Sequence, residues 1–331
     1  MNKYRAILIL FLLFLKLFKV QGQQELSFNH YMFNSQLFNP AFVGLEDNLT
    51  ISSINNLQWI GFDGNPTTNS ILLDGNLKNN LGIGMQLLSD KIGPLNSNFI
   101  AIDAAYHLEL NNSKKLSLGL KLSGNDHNIS LSSLEFDNLS DPNAGSKDSY
   151  FVTNIGFGLY YYSEKFYLGF SIPYFFEPSI INKKRHFYFS GGFKKGISEK
   201  LTINPNFLIK KVSNAPSSLD FSTMLFYEDS FWFGINYGST NKSFTSPSKN
   251  GGNLSFITGF KLLPSLMLGY SFTSQLGSWN ASANSKSHEI FIKFRTSKSL
   301  KKSNDESLSE EDEEDNWDLD DNLFFLCLRF S

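Results

Sequence analysis

Residues 149–162 read SYFVTNIGFGLYYY. Phe151, Ile155, Phe157, Leu159 and Tyr161 share one parity, and Asn154, Gly156, Gly158 and Tyr160 share the other. Side chains of a β-strand point alternately to its two faces, so this stretch forms a strand with one apolar and one polar or small face. The pattern recurs. Residues 48–295 divide into fourteen such segments, at about 48–57, 67–77, 79–90, 96–110, 114–128, 149–162, 165–173, 185–196, 200–212, 217–227, 230–239, 252–262, 265–275 and 286–295. Most are ten or more residues long, enough to cross a bilayer at a tilt.

The connections between segments alternate in length. Lys78–Asn79, Asn111–Lys114, Ser163–Lys165, Ser198–Lys200, Glu228–Asp229 and Leu263–Ser265 are tight and rich in turn-forming residues. The connections 129–148, 174–184, 240–251 and 276–285 are longer. Outer-membrane barrels have short periplasmic turns and longer external loops. The expected fold is therefore all-β: a transmembrane antiparallel β-barrel of about fourteen strands, with a periplasmic N-terminal segment and a periplasmic C-terminus. A soluble sandwich also alternates, but it does not predict the asymmetry of loop length.

The two faces support lipid outside and water or packing inside. Leu116, Leu118, Leu120 and Leu122 face one way, and Ser117, Gly119, Lys121 and Ser123 the other. Phe231, Phe233, Ile235 and Tyr237 oppose Trp232, Gly234, Asn236 and Gly238; Leu266, Leu268, Tyr270 and Phe272 oppose Met267, Gly269, Ser271 and Thr273. Gly82, Gly84, Gly156, Gly158 and Gly169 fall on the inner parity, where a missing side chain permits curvature or close packing inside. The aromatic share, 15% with 33 Phe and 13 Tyr, suits interfacial girdles. The net charge of −2 and the absence of a basic patch interleaved with aromatics give no sign of a nucleic-acid partner.

The remaining segments are distinct. Residues 1–22 read as a signal peptide: Lys3 and Arg5, then apolar Ala6 to Leu15, then small residues at Val20 and Gly22. Residues 23–47 form an N-terminal periplasmic segment or plug. Within it Phe28, Tyr31, Met32, Phe38 and Phe42 allow a helical stripe ending near Pro40, with an irregular arm as the alternative. Residues 296–331 form an acidic tail, with eleven acidic residues between 305 and 321, a block that repels itself. The single cysteine, Cys327, excludes an intrachain disulfide.

No catalytic or cofactor-binding constellation is found. His30, His107, His127, His186 and His288 are scattered, with no H-x-H or H-E-x-x-H, and Gly156-Phe157-Gly158 lies inside a strand rather than in a phosphate loop. The expectation is a non-enzymatic protein with no cofactor and no metal. Candidate functional residues are instead Trp59, Phe62, Asp63, Gly64 and Pro66 on the first long loop, and Asp90, Lys91, Gly93 and Pro94 on the second. Aromatic residues beside Gly/Pro turns either close a barrel mouth or grip a partner.

Six stretches carry a family resemblance: His30-Tyr31-Met32-Phe33-Asn34 with Asn39-Pro40-Ala41; Gln58-Trp59-Ile60-Gly61-Phe62-Asp63-Gly64 with Pro66; Ser89-Asp90-Lys91-Ile92-Gly93-Pro94; Gly156 through Tyr162; Asn214-Ala215-Pro216; and Ser287-His288-Glu289-Ile290. In this order, over about residues 23–295, the chain resembles the PorP/SprF family of outer-membrane proteins associated with type IX secretion and gliding in Bacteroidetes. It departs from the family pattern at Phe42-Val43, at Asn65 and in the acidic tail. The resemblance implies localisation in the bacterial outer membrane. It also implies a role in secretion, in surface attachment of adhesins or other cargo, or in anchoring the periplasmic ring. The partners implied are outer-membrane lipid, ring proteins and secreted cargo. The residues themselves leave a second function open, a channel or transporter for small or hydrophobic solutes.

The tail gives a first test. Deleting residues 303–321 is expected to weaken association with a basic partner surface at low salt and to matter little at high salt. Pull-down yield across a salt series measures this; an equal yield at low salt refutes it.

Overall fold

The computed structural model describes residues 27–77, 80–111, 113–131, 147–178, 184–212, 217–240, 252–276 and 286–299. The expected signal peptide, residues 300–331 of the expected acidic tail with Cys327, and the Asn214-Ala215-Pro216 stretch lie outside these residues, whereas 296–299, expected to begin the tail, belong to the last strand.

Among the described residues, every regular element except two short 3-10 turns is a strand: β1 (Asn48–Leu57), β2 (Thr67–Asn76), β3 (Leu81–Ile92), β4 (Leu95–Asn111), β5 (Lys114–Ser130), β6 (Lys147–Ser163), β7 (Phe166–Ile172), β8 (His186–Phe193), β9 (Lys195–Ser198), β10 (Leu201–Val212), β11 (Ser218–Tyr227), β12 (Phe231–Thr240), β13 (Asn253–Leu263), β14 (Leu266–Gln275) and β15 (Lys286–Ser299). Each pairs antiparallel with its neighbours, and β1 pairs with β15 from Asn48↔Ser299 to Leu57↔His288. First strand meets last, so the sheet is a closed barrel. β8 and β9 occupy one position in the wall, both pairing with β10. The ladder lapses between them where β10 carries Pro205, which has no N–H to donate, and Asn204 Nδ2 donates to Phe193 O (2.8 Å). The wall therefore has fourteen strand positions.

The faces follow the parity of the sequence. Leu118, Leu120 and Leu122 point out, Leu120 at 58% exposure, while Ser117, Lys121 and Ser123 are buried inside. Phe233 points out at 59% exposure, and Trp232 and Asn236 are buried. In water this outer surface would be unfavourable; in lipid it is the solvent-matched face.

The strands differ in height. β4, β5 and β6 each have 17 residues, whereas β7 has seven. The rim carrying the tight connections, here the turn rim, is compact; at Glu228-Asp229 both residues take left-handed φ (49° and 51°), the two-residue hairpin geometry. The opposite, loop rim holds the connections 58–66 and 173–185 and one exception. The connection between β3 and β4 is the two-residue turn Gly93-Pro94, with Gly93 at φ 54°. Asp90 and Lys91 thus lie in β3, not on a long loop, because β3 and β4 stay paired up to Ile92↔Leu95.

Residues 27–44 run inside the barrel. No α-helical stripe forms; the chain makes 3-10 turns at Ser35–Leu37 and Pro40–Phe42, with Asn39 capping the second through Ala41 N–H (2.9 Å). Pro40 removes one N–H donor, and short polar residues compete for the backbone, so a long helix is disfavoured.

Leu120→Arg places a charge near the middle of the outward apolar band. We expect a cost of about 2–4 kcal/mol, read as a smaller fraction of folded, heat-modifiable protein on electrophoresis. The turn variant Glu199→Arg should leave that fraction unchanged.

Candidate functional site

The arm of residues 27–44 crosses the lumen from rim to rim. Its first residue meets the loop-rim end of β1, where Asn56 Nδ2 donates to Ser27 O (3.1 Å). Its last residues meet the turn-rim ends of β2 and β3: Asn76 Nδ2 donates to Gly44 O (2.8 Å), and Gly44 N–H donates to Asp74 (3.2 Å).

Between these ends the arm has two sides. One is aromatic. Phe33 stacks on Phe291 (5.3 Å between centroids) and lies 5.4 Å from Trp232; Phe38 lies 5.3 Å from Tyr188. With Phe28, Tyr31, Met224 and Met267 they form the main apolar core. The core therefore sits inside the barrel, between arm and wall. The other side is polar. Gln36 Nε2 donates to Asp103 (3.1 Å), and Gln86 Nε2 donates to the same carboxylate and to Gln36 O (2.5 and 2.8 Å). Lys121 Nζ stands 3.6 Å from Asp103 and 3.5 Å from Gln36 O. Both amides bond the Oδ2 of Asp103 and the Lys121 ammonium faces its Oδ1, so donors and a counter-charge offset the cost of burying the carboxylate.

The tightest anchor is Glu289 on β15, 1% exposed. Its two oxygens accept the N–H groups of Asn29 (3.0 Å) and His30 (2.9 Å), and His30 Nδ1 lies 2.6 Å from it. Around it Asn29 Nδ2 donates to Ser271 and Thr273 (2.8 Å each), and Asn236 Nδ2 donates to Asn29 Oδ1 (3.3 Å). Tyr31 OH pairs with Ser222 Oγ (3.0 Å).

The inner glycines have a packing reason. A Cβ on Gly82 would stand 2.2 Å from Val43 O, one on Gly119 2.2 Å from Ala41 N, and one on Gly158 2.0 Å from Asn39 Oδ1. The arm lies directly against the wall backbone there, and Asn39 Nδ2 donates to Leu159 O (2.9 Å).

The residues proposed from the sequence gather at the loop rim. Gly93 N–H donates to Gly64 O (2.9 Å), so the loop bearing Trp59, Phe62, Asp63, Gly64 and Pro66 is tied to the β3–β4 turn. Trp59, Gly61 and Gly64 take left-handed φ (51°, 101° and 72°). Asn65 Nδ2 clasps Gln58 O (3.0 Å), and Thr68 Oγ1 donates to Asp90 (2.6 Å). Pro66 is buried, while Phe62 (48%), Asp63 and Lys91 face out. Asp90 thus braces the wall, and Phe62, Asp63 and Lys91 present side chains to the surroundings. What the sequence reading missed is the lumen set: Asn29, Gln36, Gln86, Glu289 and their partners. Their one signal is inner parity combined with polarity.

The stretches that carry the family resemblance thus meet in pairs. His30 meets Glu289, Asn39 meets Gly158 and Leu159, and Gly64 meets Gly93. A family model for the type IX secretion system membrane protein PorP/SprF matches residues 20–294. The chain belongs to the PorP/SprF family. It is a membrane protein of that secretion system and a β-barrel of the bacterial outer membrane. No curated protein matches the chain. Among solved structures, the Acinetobacter baumannii outer membrane protein Omp33 is similar at 12% identity and TM-score 0.44, over 76% of this chain and 100% of that one. A Pseudomonas aeruginosa FadL homologue is similar at 12% identity and TM-score 0.44, over 80% and 94%. The Ralstonia pickettii toluene transporter TbuX is similar at 9% identity and TM-score 0.46, over 79% and 92%.

Glu289→Ala removes the acceptor for two buried N–H groups and for His30. We expect a loss of about 3–5 kcal/mol, seen as a lower unfolding temperature in detergent. Glu199→Ala, at an exposed turn, should melt like the parent.

Proposed function

We propose that this PorP/SprF protein is a non-enzymatic component that assists type IX secretion or the surface attachment of secreted cargo, and is sealed to solutes at rest. The observation that carries the reading is the arm. It fills the lumen, and wall side chains satisfy its backbone. A porin needs a continuous aqueous path, and an arm held by Glu289, Asn76 and Gln86 obstructs one.

The short turns face the periplasm in this reading, so the loop rim faces outward. Trp59, Phe62, Asp63, Gly64, Pro66, Asp90, Lys91, Gly93 and Pro94 then form a braced patch beside the barrel mouth. Its exposed part combines an aromatic ring with one acidic and one basic side chain, a composition suited to contact with a protein partner. A second role, association with the periplasmic ring, falls in this reading to the periplasmic rim and the acidic tail.

Two measurements test the proposal together. Purified protein in planar bilayers should show no steady ion conductance. Deletion of the gene should reduce surface-attached cargo without making the envelope generally permeable. Steady conductance with normal cargo display would favour the solute channel instead.

A further inference from the structure

The wall treats the arm as a polypeptide backbone. Asn56 donates to Ser27 O, Gln86 to Gln36 O, Ser171 to Phe38 O (2.7 Å) and Asn76 to Gly44 O. Glu289 accepts from the N–H groups of residues 29 and 30. Gly82 and Gly119 leave room for main chain where any side chain on the wall would collide with it. Glu289, Asn56, Asn76 and Gln86 stand on the four adjacent strands β15, β1, β2 and β3, Gly119 and Ser171 stand farther round on β5 and β7, and together they span the height of the lumen from rim to rim.

The backbone ladder of the wall is complete without the arm. Its ladder closes on itself through β1 and β15. Its buried charges are partly paired across adjacent strands: Lys121 with Asp103 (3.6 Å) and Lys210 with Asp220 (3.1 Å). Water entering an emptied lumen would meet polar side chains over the β2–β5 side and could hydrate them. The arm itself has little internal structure, only two 3-10 turns. Leaving the lumen therefore breaks few bonds within the arm.

We propose that the lumen is a polypeptide-binding channel in which residues 27–44 are the resident, exchangeable occupant, and that the incoming occupant is an extended segment of a secreted protein. This deepens the secretion role proposed above and rests on it for the source of the segment. The chemistry of the channel defines that segment. It is extended, with aromatic side chains toward Trp232, Phe291 and Tyr188 and an amide-bearing side chain toward Asp103, as Gln36 has. The arm holds the site in a folded, water-excluded state until it is replaced. Its polarity follows from the register: the N-terminal end of the occupant lies at the loop rim and the C-terminal end at the turn rim.

The test uses the full chain with a protease site inserted at Asp47, which is exposed between the arm and β1. The folded protein is cut in detergent and given excess fluorescent synthetic peptide of residues 27–44. Expected is one peptide taken up per barrel, with release of the cut arm. Uptake should be at least tenfold weaker for a scrambled peptide of the same composition, and at least tenfold weaker when Glu289→Gln is present in the barrel. A second variant has Asn29→Cys and Ser271→Cys joined by a short thiol cross-linker, with Cys327→Ser. It should take up no peptide after cutting and should regain uptake when the linker is cleaved. The inference is overturned if a cut barrel that keeps its folded mobility retains its arm and takes up no peptide, or if the scrambled peptide binds equally well. The secretion reading fails separately: peptide exchange that is normal in vitro, with undiminished cargo display in a strain carrying the cross-linked variant, would reject a secreted protein as the source of the segment while leaving the channel itself in place.

Discussion

The pairing of β1 with β15 is the interaction on which the rest of the molecule depends. Hydrocarbon offers no hydrogen-bond partner, so an open sheet edge in the bilayer would leave a row of N–H and C=O groups unsatisfied. The register from Asn48↔Ser299 to Leu57↔His288 removes that edge. Closure then fixes what faces inward. With fourteen strand positions, the lumen is wider than wall side chains alone can fill. An inward face that carries Asp103, Lys121, Asp220 and Glu289 must then find water or protein partners. The arm supplies many of them. Barrel and arm thus solve each other's problem: the wall satisfies an irregular backbone that could not stay buried unaided, and the arm fills the space that closure creates.

Much of this was legible in the sequence because lipid imposes period two with few exceptions. Leu116, Leu118, Leu120 and Leu122 announce their strand and its outward face, and the aromatic parity around Phe233 does the same for β12. The strand count follows because β8 and β9 share one place in the wall; the break between them was not read from the sequence, because it falls opposite Pro205 of β10, a partner that only the fold supplies. The bounds were legible to within a few residues. Beyond Gly124 the alternation fades into Asn125, Asp126, His127 and Asn128, yet the segment read as 114–128 is a strand throughout and runs on to Ser130, because β4 and β6 pair with it. Gly93-Pro94 read as part of a longer loop, although a positive φ at Gly93 permits the reversal there.

The lumen contacts were the least legible part. Glu289 and His30 are 259 residues apart, and Tyr31 and Ser222 are 191 apart. No local pattern encodes such pairings. The inner glycines were the exception. Their parity signalled that something packs closely inside, and Gly82, Gly119 and Gly158 are where the arm touches the wall. For the rim residues, the stretches that carry the family resemblance named the members, but only the fold shows that Gly64 and Gly93 are bonded to each other and that Asp90 serves a neighbouring strand through Thr68.

The unequal strand lengths make the mouth lopsided. β4, β5 and β6 each run 17 residues against seven in β7. At about 3.3 Å per residue and a tilt near 40°, a 17-residue strand climbs roughly 43 Å, well beyond an apolar band of about 25 Å. The surplus stands as a crest along one side of the opening, while the β7 side stays low. Among the described strands, the two sides of the opening thus offer walls of unequal height to anything that meets this rim.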